Sequence, residues 1–245
     1  LVASAASAES GAPRYPVLMP VFTSFDKAWQ WFGDGGEIVV ADEAWADAWA
    51  HGRAQYLAFV ARVDDARTLE AAERAQERLA SVPGVLPCSR EYLHVTLAEV
   101  GFQVVKPVRP DDVTRERALQ LGALAAPLFQ RTPAVTFALG PVNVLNEAIV
   151  LELRDDGAGA ALRRALAETL GLASAIPALP HLTVARCVEP PDGEALRAVL
   201  RALRAEPASV RFSVRRIEFV RAWLVGDFPR EEPELETLRR YGLHR

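Results

Sequence analysis

The sequence predicts an α+β fold of mainly antiparallel sheet with flanking helices. Three observations carry that reading. Strand-like alternation and 3.6-residue periodicity follow one another in mixed order, not as a run of βαβ units. Each half of the chain holds strands, a helix and one copy of a short signature, His94-Val95-Thr96-Leu97 and His181-Leu182-Thr183-Val184. The 245 residues are 50% hydrophobic, enough to build a sizeable core.

Residues 1–54 read as an N-terminal tail and a Trp-rich appended segment, and residues 55–245 as the main domain. Leu1–Pro13 is Ala/Ser-rich, lacks a basic start and an apolar block, and reads as a flexible tail, not a secretory signal. Asp26–Phe32 is a short helix stopped by Gly33–Gly36, and Glu37–Val40 a short strand. Asp42 caps a helix that sets Trp45 and Trp49 four residues apart on one face. Packing against the main body explains these tryptophans most simply; a cover over a cleft, with a Trp stacking a base, is the sharper alternative.

The regular pattern starts at Gln55–Val63, an apolar strand. Asp64 or Asp65 caps a helix to about Ser81, with Leu69, Ala72, Ala75 and Leu79 in one stripe. Tyr92–Val100 is the first signature strand. A helix follows from near Asp112 to Gln130, bent or ended by Pro127. Ala134–Leu139 and Ala148–Leu153 are strands around a turn at Asn143–Asn146. Ala158–Leu170 is a helix ended by Gly171, His181–Val188 the second signature strand, and Asp192–Arg204 an amphipathic helix. Val210–Phe219 and Val220–Val225 read as strands, and Glu232–Tyr241 as a C-terminal helix.

Charge narrows the partners. The net charge is −4, and seven acids against Arg14, Lys27 and Arg53 place all of it in residues 1–54. The main domain is neutral and has no global basic field, so duplex DNA is not an expected partner and a polynucleotide would need a local basic patch. No apolar run reaches the length of a membrane span. Cys88 and Cys187 are isolated, show no metal-ligand spacing, and fit a reducing cytoplasm.

The repeated signature carries the chemistry. In a strand, His and Thr two residues apart share one face while the apolar residues between them face a core. Two such strands on one cleft supply two imidazoles and two hydroxyls, a set suited to acid–base chemistry on a phosphate ester. His51 and His244 sit in polar or terminal contexts and read as exposed.

At these residues the chain resembles the 2H phosphoesterase superfamily, and within it the bacterial and archaeal RNA 2′,3′-cyclic phosphodiesterases, also called 2′–5′ RNA ligases. Leu93–Gly101 reads LHVTLAEVG and Pro180–Arg186 reads PHLTVAR, each close to one of the family's two motifs. The resemblance covers about residues 55–245. It implies two pseudo-symmetric lobes around a central cleft, with His94 and His181 as the acid–base pair. Thr96, Thr183 and Arg186 would bind the phosphate. Two departures stand out. Glu99 replaces a large apolar residue, and alternation turns it away from the His94 face. Arg186 matches a family arginine, but alternation from His181 turns it away too, so only a bulge brings it to the cleft.

The implied activity is hydrolysis of a 2′,3′-cyclic phosphate, on an RNA end or a small nucleotide, to the 2′-phosphate. His94 is assigned as the acid and His181 as the base, an assignment the sequence does not distinguish from its swap. No metal or cofactor is called for, and a cytoplasmic monomer is expected. The alternatives are 2′–5′ ligation or cleavage, another cyclic-nucleotide phosphoesterase, or a non-catalytic RNA- or nucleotide-binding module. A matched acid–base pair weighs against the last, because binding alone needs none.

Overall fold

A computed structural model describes residues 22–172, 179–206 and 210–244, and the expected Leu1–Pro13 tail lies outside them. Two short helices lead, α1 (Phe25–Gly33) and α2 (Glu43–Ala50). Next come β1 (Gln55–Arg62), α3 (Ala66–Leu79), β2 (Val85–Pro87), β3 (His94–Gln103), β4 (Asp112–Val113) and α4 (Arg115–Arg131). The second half holds β5 (Val135–Leu145), β6 (Ala148–Asp155), α5 (Ala158–Leu170), β7 (His181–Cys187) and α6 (Gly193–Arg204). It ends with β8 (Arg211–Val214), β9 (Arg216–Trp223) and β10 (Glu234–Gly242).

The strands form one sheet in the order β10-β9-β1-β3-β7-β6-β5-β8, with β2 on β7 and β4 on β3. Every pairing is antiparallel except β3–β4. The two lobes meet at β3 and β7 through a single register pair, Val95 opposite Leu182. The residue between His and Thr in each signature thus forms the seam, and both side chains are fully buried. This is the predicted α+β architecture of two pseudo-symmetric antiparallel lobes.

The helices interlock the lobes. The helix before each signature strand packs against the other signature strand, α3 on β7 and α5 on β3. The α3 stripe works as its spacing predicts: Leu69, Ala72, Ala75 and Leu79 are buried, and Asp65 caps the helix by accepting from the Thr68 amide. Gln76 on the same helix donates to the carbonyls of Cys88 and Val184, tying α3 to β7 at the residue after its threonine.

Several elements differ from the sequence reading. Glu232–Tyr241 is a strand, β10, not a helix. Its Leu, Glu and Arg favour a helix, but pairing with the edge of β9 overrides that weak preference. Tyr241 anchors the strand by packing on Phe59 and Phe129 and donating to the Gly122 carbonyl. Glu37–Val40 is extended but not a strand; Val39 donates to the Asn146 carbonyl and, just beyond, Ala41 to that of Cys187. The helix expected from Asp112 starts at Arg115, because Thr114 caps it and Asp112–Val113 pair with β3 instead. Pro127 lies inside that helix without ending it. The β5–β6 turn is tighter than expected, with Asn146 alone in the left-handed region. The expected strands over 210–225 break at Arg215, not after Phe219.

The boundary at residue 54 marks where the regular sheet begins, not an edge in the packing. Phe32 of α1 is 1% exposed and belongs to the main core cluster. Buried Asn143 on β5 donates to the Phe25 carbonyl and to Glu152. Arg53 ties the end of α2 to the β3–β4 connection: it bonds Asp111 and Asp112 at 2.8 Å and lies over the Phe102 ring.

Candidate active site

The residue pattern places His94, Thr96, His181 and Thr183 along one face of β3 and β7, and the fold brings all four to a single cleft of about 580 Å3. That is ample for a small organic ligand. His51 and His244 are exposed and stand away from it.

The two imidazoles are held in the same way. His94 Nδ1 donates to the Tyr92 carbonyl, and His181 Nδ1 donates to the Leu179 carbonyl at 2.8 Å. A carbonyl oxygen only accepts, so each Nδ1 carries the proton and each neutral ring keeps its lone pair on Nε2. In both cases the acceptor lies two residues before the histidine, where the chain enters the strand. Burial pushes His94 down to about 4, aided by the Arg62 guanidinium and by His181. His181 is also lowered, by burial and by Arg163. In the free protein at neutral pH both imidazoles are therefore uncharged bases.

The most informative local feature is a pair of matched bulges. On β3 the register to β1 skips Leu97, running from Thr96 opposite Val60 to Ala98 opposite Phe59. On β7 the register to β6 skips Val184, running from Thr183 opposite Val150 to Ala185 opposite Ile149. Each bulge comes three residues after the histidine. Each resets alternation, so the fifth residue after the histidine returns to the histidine face. Those fifth residues are Glu99 and Arg186, and both line the cleft. For Glu99 this corrects the sequence reading, which turned it outward. For Arg186 it supplies the bulge that reaching the cleft required.

Arg186 is 7% exposed, and its Nε and Nη2 find no partner among the described residues. Burial, with a smaller push from Glu99, raises the Glu147 carboxyl to about 7 even though the positive charge of Arg186 draws it down. A buried guanidinium with unpaired N–H groups is costly, and an anion placed there removes the cost.

An aromatic wall completes the cleft. Trp45 and Trp49 stack at 5.5 Å, and Trp49 packs on Tyr56 at 4.9 Å and on Phe228 at 6.2 Å. The segment of residues 26–50 thus both packs on the domain and lines its cleft. Sequence reading missed Glu99, Glu147, Tyr56, Tyr92 and Phe228 as cleft residues. One signal for Glu99 was present: a charged residue at the fifth position after histidine in both signatures. Among the described residues no cluster of His, Cys, Asp or Glu suits a metal. Both cysteines are buried and free, and burial pushes both thiols up to about 12, which makes them poor nucleophiles.

Two pseudo-symmetric lobes that bring a His–Thr pair each to one cleft define the class of the two-histidine phosphoesterases. Within it, the chain belongs to the 2′-5′ RNA ligase superfamily, whose family model matches residues 58–222. No curated protein matches the chain in sequence. Solved structures match its fold at low identity. LigT of Escherichia coli, in complex with NADP+, superposes with a TM-score of 0.56 at 18% identity over 79% of this chain and 100% of its own. TT0787 of Thermus thermophilus gives 0.55 at 20% identity, covering 77% and 97%. A conserved protein of unknown function, ATU0111 of Agrobacterium tumefaciens, gives 0.54 at 16% identity, covering 76% and 85%. LigT has also been solved with 3′-AMP.

Proposed function

We propose that the protein hydrolyses 2′,3′-cyclic phosphates, on a short RNA end or a nucleotide, to 2′-phosphates, with His94 and His181 as its acid–base pair. The observation that carries this reading is the twinned imidazole: two histidines in one cleft, each with Nδ1 committed to its own backbone and Nε2 free for a proton. One Nε2 takes the proton of the attacking water while the other, protonated, gives its proton to the departing 3′ oxygen. Thr96 and Thr183 donate to the non-bridging oxygens, and Arg186 pairs with the charge that accumulates there. The reading requires no metal. The nucleotides bound in the LigT structures make nucleotides the first ligand class to test.

The charge environment treats the two histidines alike. The free pair is neutral, so the anionic phosphate must draw in the working proton. Each ring has a guanidinium that opposes its imidazolium, Arg62 for His94 and Arg163 for His181, and burial lowers both. Charge does not separate the two roles, and the order assigned from sequence is kept, with His94 as the acid and His181 as the base. A phosphodiester with a nitrophenolate leaving group, which departs without a proton, distinguishes the two. It should restore much of the rate lost in His94→Ala and little of that lost in His181→Ala; the opposite pattern exchanges the two roles.

The main test uses a short RNA ending in a 2′,3′-cyclic phosphate, in excess chelator. Wild type should yield the 2′-phosphate, and each single His→Ala variant, folded by circular dichroism, should lose roughly 10²–10⁴-fold in rate. Turnover that needs added metal, or that survives in both variants, overturns the reading.

A further inference from the structure

The repeated spacing makes Glu99 the counterpart of Arg186: same strand position, same bulge, opposite charge. A carboxylate beside a phosphate is repelled, so Glu99 must address another part of the ligand, one that donates hydrogen bonds. Its surroundings identify that part. Glu99 is exposed to the cleft, about 7 Å along β3 from Thr96. The Tyr56 hydroxyl lies beside it, and Tyr56 belongs to the aromatic wall with Trp49 and Trp45. A flat aromatic ligand stacked on that wall presents its edge to Glu99, while buried Arg186, whose Nε and Nη2 have no hydrogen-bond partner among the described residues, takes the anion at the other position.

We infer that Glu99 and the Trp45/Trp49/Tyr56 wall form a base subsite that selects guanine. This rests on the nucleotide reading above and adds a specificity to it. Guanine alone among the common RNA bases offers two adjacent donors on its pairing edge, N1–H and the 2-amino group, and one carboxylate accepts both. Adenine and cytosine set a ring-nitrogen lone pair beside their amino group. Uracil flanks its single N–H with two carbonyls. Each of these repels a carboxylate. Paired hydrogen bonds to a charged acceptor give guanine a preference of at least roughly tenfold.

The test is equilibrium binding of the four nucleoside 2′-monophosphates, read by quenching of tryptophan fluorescence, for wild type and Glu99→Gln. The guanine nucleotide should bind at least tenfold more tightly than the other three. Glu99→Gln, which replaces one acceptor oxygen by a donor, should bring it down to their level. Equal binding of all four by wild type, or a loss in Glu99→Gln common to all four, overturns the inference. Because the readout is binding, it separates from the test of hydrolysis. Guanine-selective binding without turnover of any cyclic phosphate sinks the hydrolase reading alone, and turnover without base selectivity sinks this one alone.

Discussion

At the scale of residues, the backbone carbonyls of Tyr92 and Leu179 do more than hold two rings in place. By accepting from Nδ1 they choose the tautomer, and burial then keeps both rings neutral. The pH dependence follows. The working pair carries one proton, which the free protein loses at lower pH than an ordinary histidine would, whereas bound phosphate draws it back. The kcat/KM profile, which reports the free enzyme, should therefore peak at lower pH than the kcat profile. Coincident bells centred above neutrality contradict the neutral pair. The same burial affects stability. An unfolded His94 takes up a proton near 6.5 and the folded one only near 4, so the unfolded state binds more protons between these values. Stability is lost as pH falls through that window, by about 1–2 kcal/mol between pH 7 and pH 5. Urea unfolding of His94→Gln should show a correspondingly smaller difference between the two pH values. Arg186 makes the converse case. Arg186→Met removes a buried charge with unpaired N–H groups, so the thermal midpoint should rise while kcat/KM falls roughly 10²–10³-fold.

At the scale of elements, the bulges decide which residues count. Pattern reading located both signature strands, the α3 stripe, the Asp42 cap and the Gly171 stop, because each of these depends on neighbours a few residues apart. It placed Glu99 on the wrong face because alternation assumes an unbroken ladder, and a skipped register position leaves no local mark in LHVTLAEVG. It read β10 as a helix because its residues favour one and the pairing partner is β9, a separate segment of chain. The aromatic wall was half legible: Trp45 and Trp49 announced a shared face, but Tyr56 and Phe228 join them only through the fold. A second register slip on β3, at Val100, brings Gly101 to φ 119°, where an added Cβ would lie 2.1 Å from the Asp111 carbonyl oxygen. Gly101→Ala must therefore push β3 and the Asp111 loop apart. It should cost several kcal/mol in chemical denaturation, about the sum of a strained backbone and a displaced strand end. A cost below about 1 kcal/mol would mean the loop gives way freely.

At the scale of the whole molecule, the lobes are woven together. With α3 of the first half under β7 and α5 of the second under β3, neither half can bury its apolar faces alone. Thermal unfolding should therefore show one transition, coincident by tryptophan fluorescence and far-ultraviolet circular dichroism; two separated transitions would contradict the interlock. The seam at Val95 and Leu182 adds a second expectation. Leu182→Ala should cost roughly 2–5 kcal/mol, as buried leucines do, and should lower kcat more than it raises KM. Those two side chains point away from the cleft, yet they stand directly behind the histidines and set how closely the two signature strands approach. The gap a proton must cross is gauged from the back of the sheet, by two aliphatic groups that no substrate ever meets.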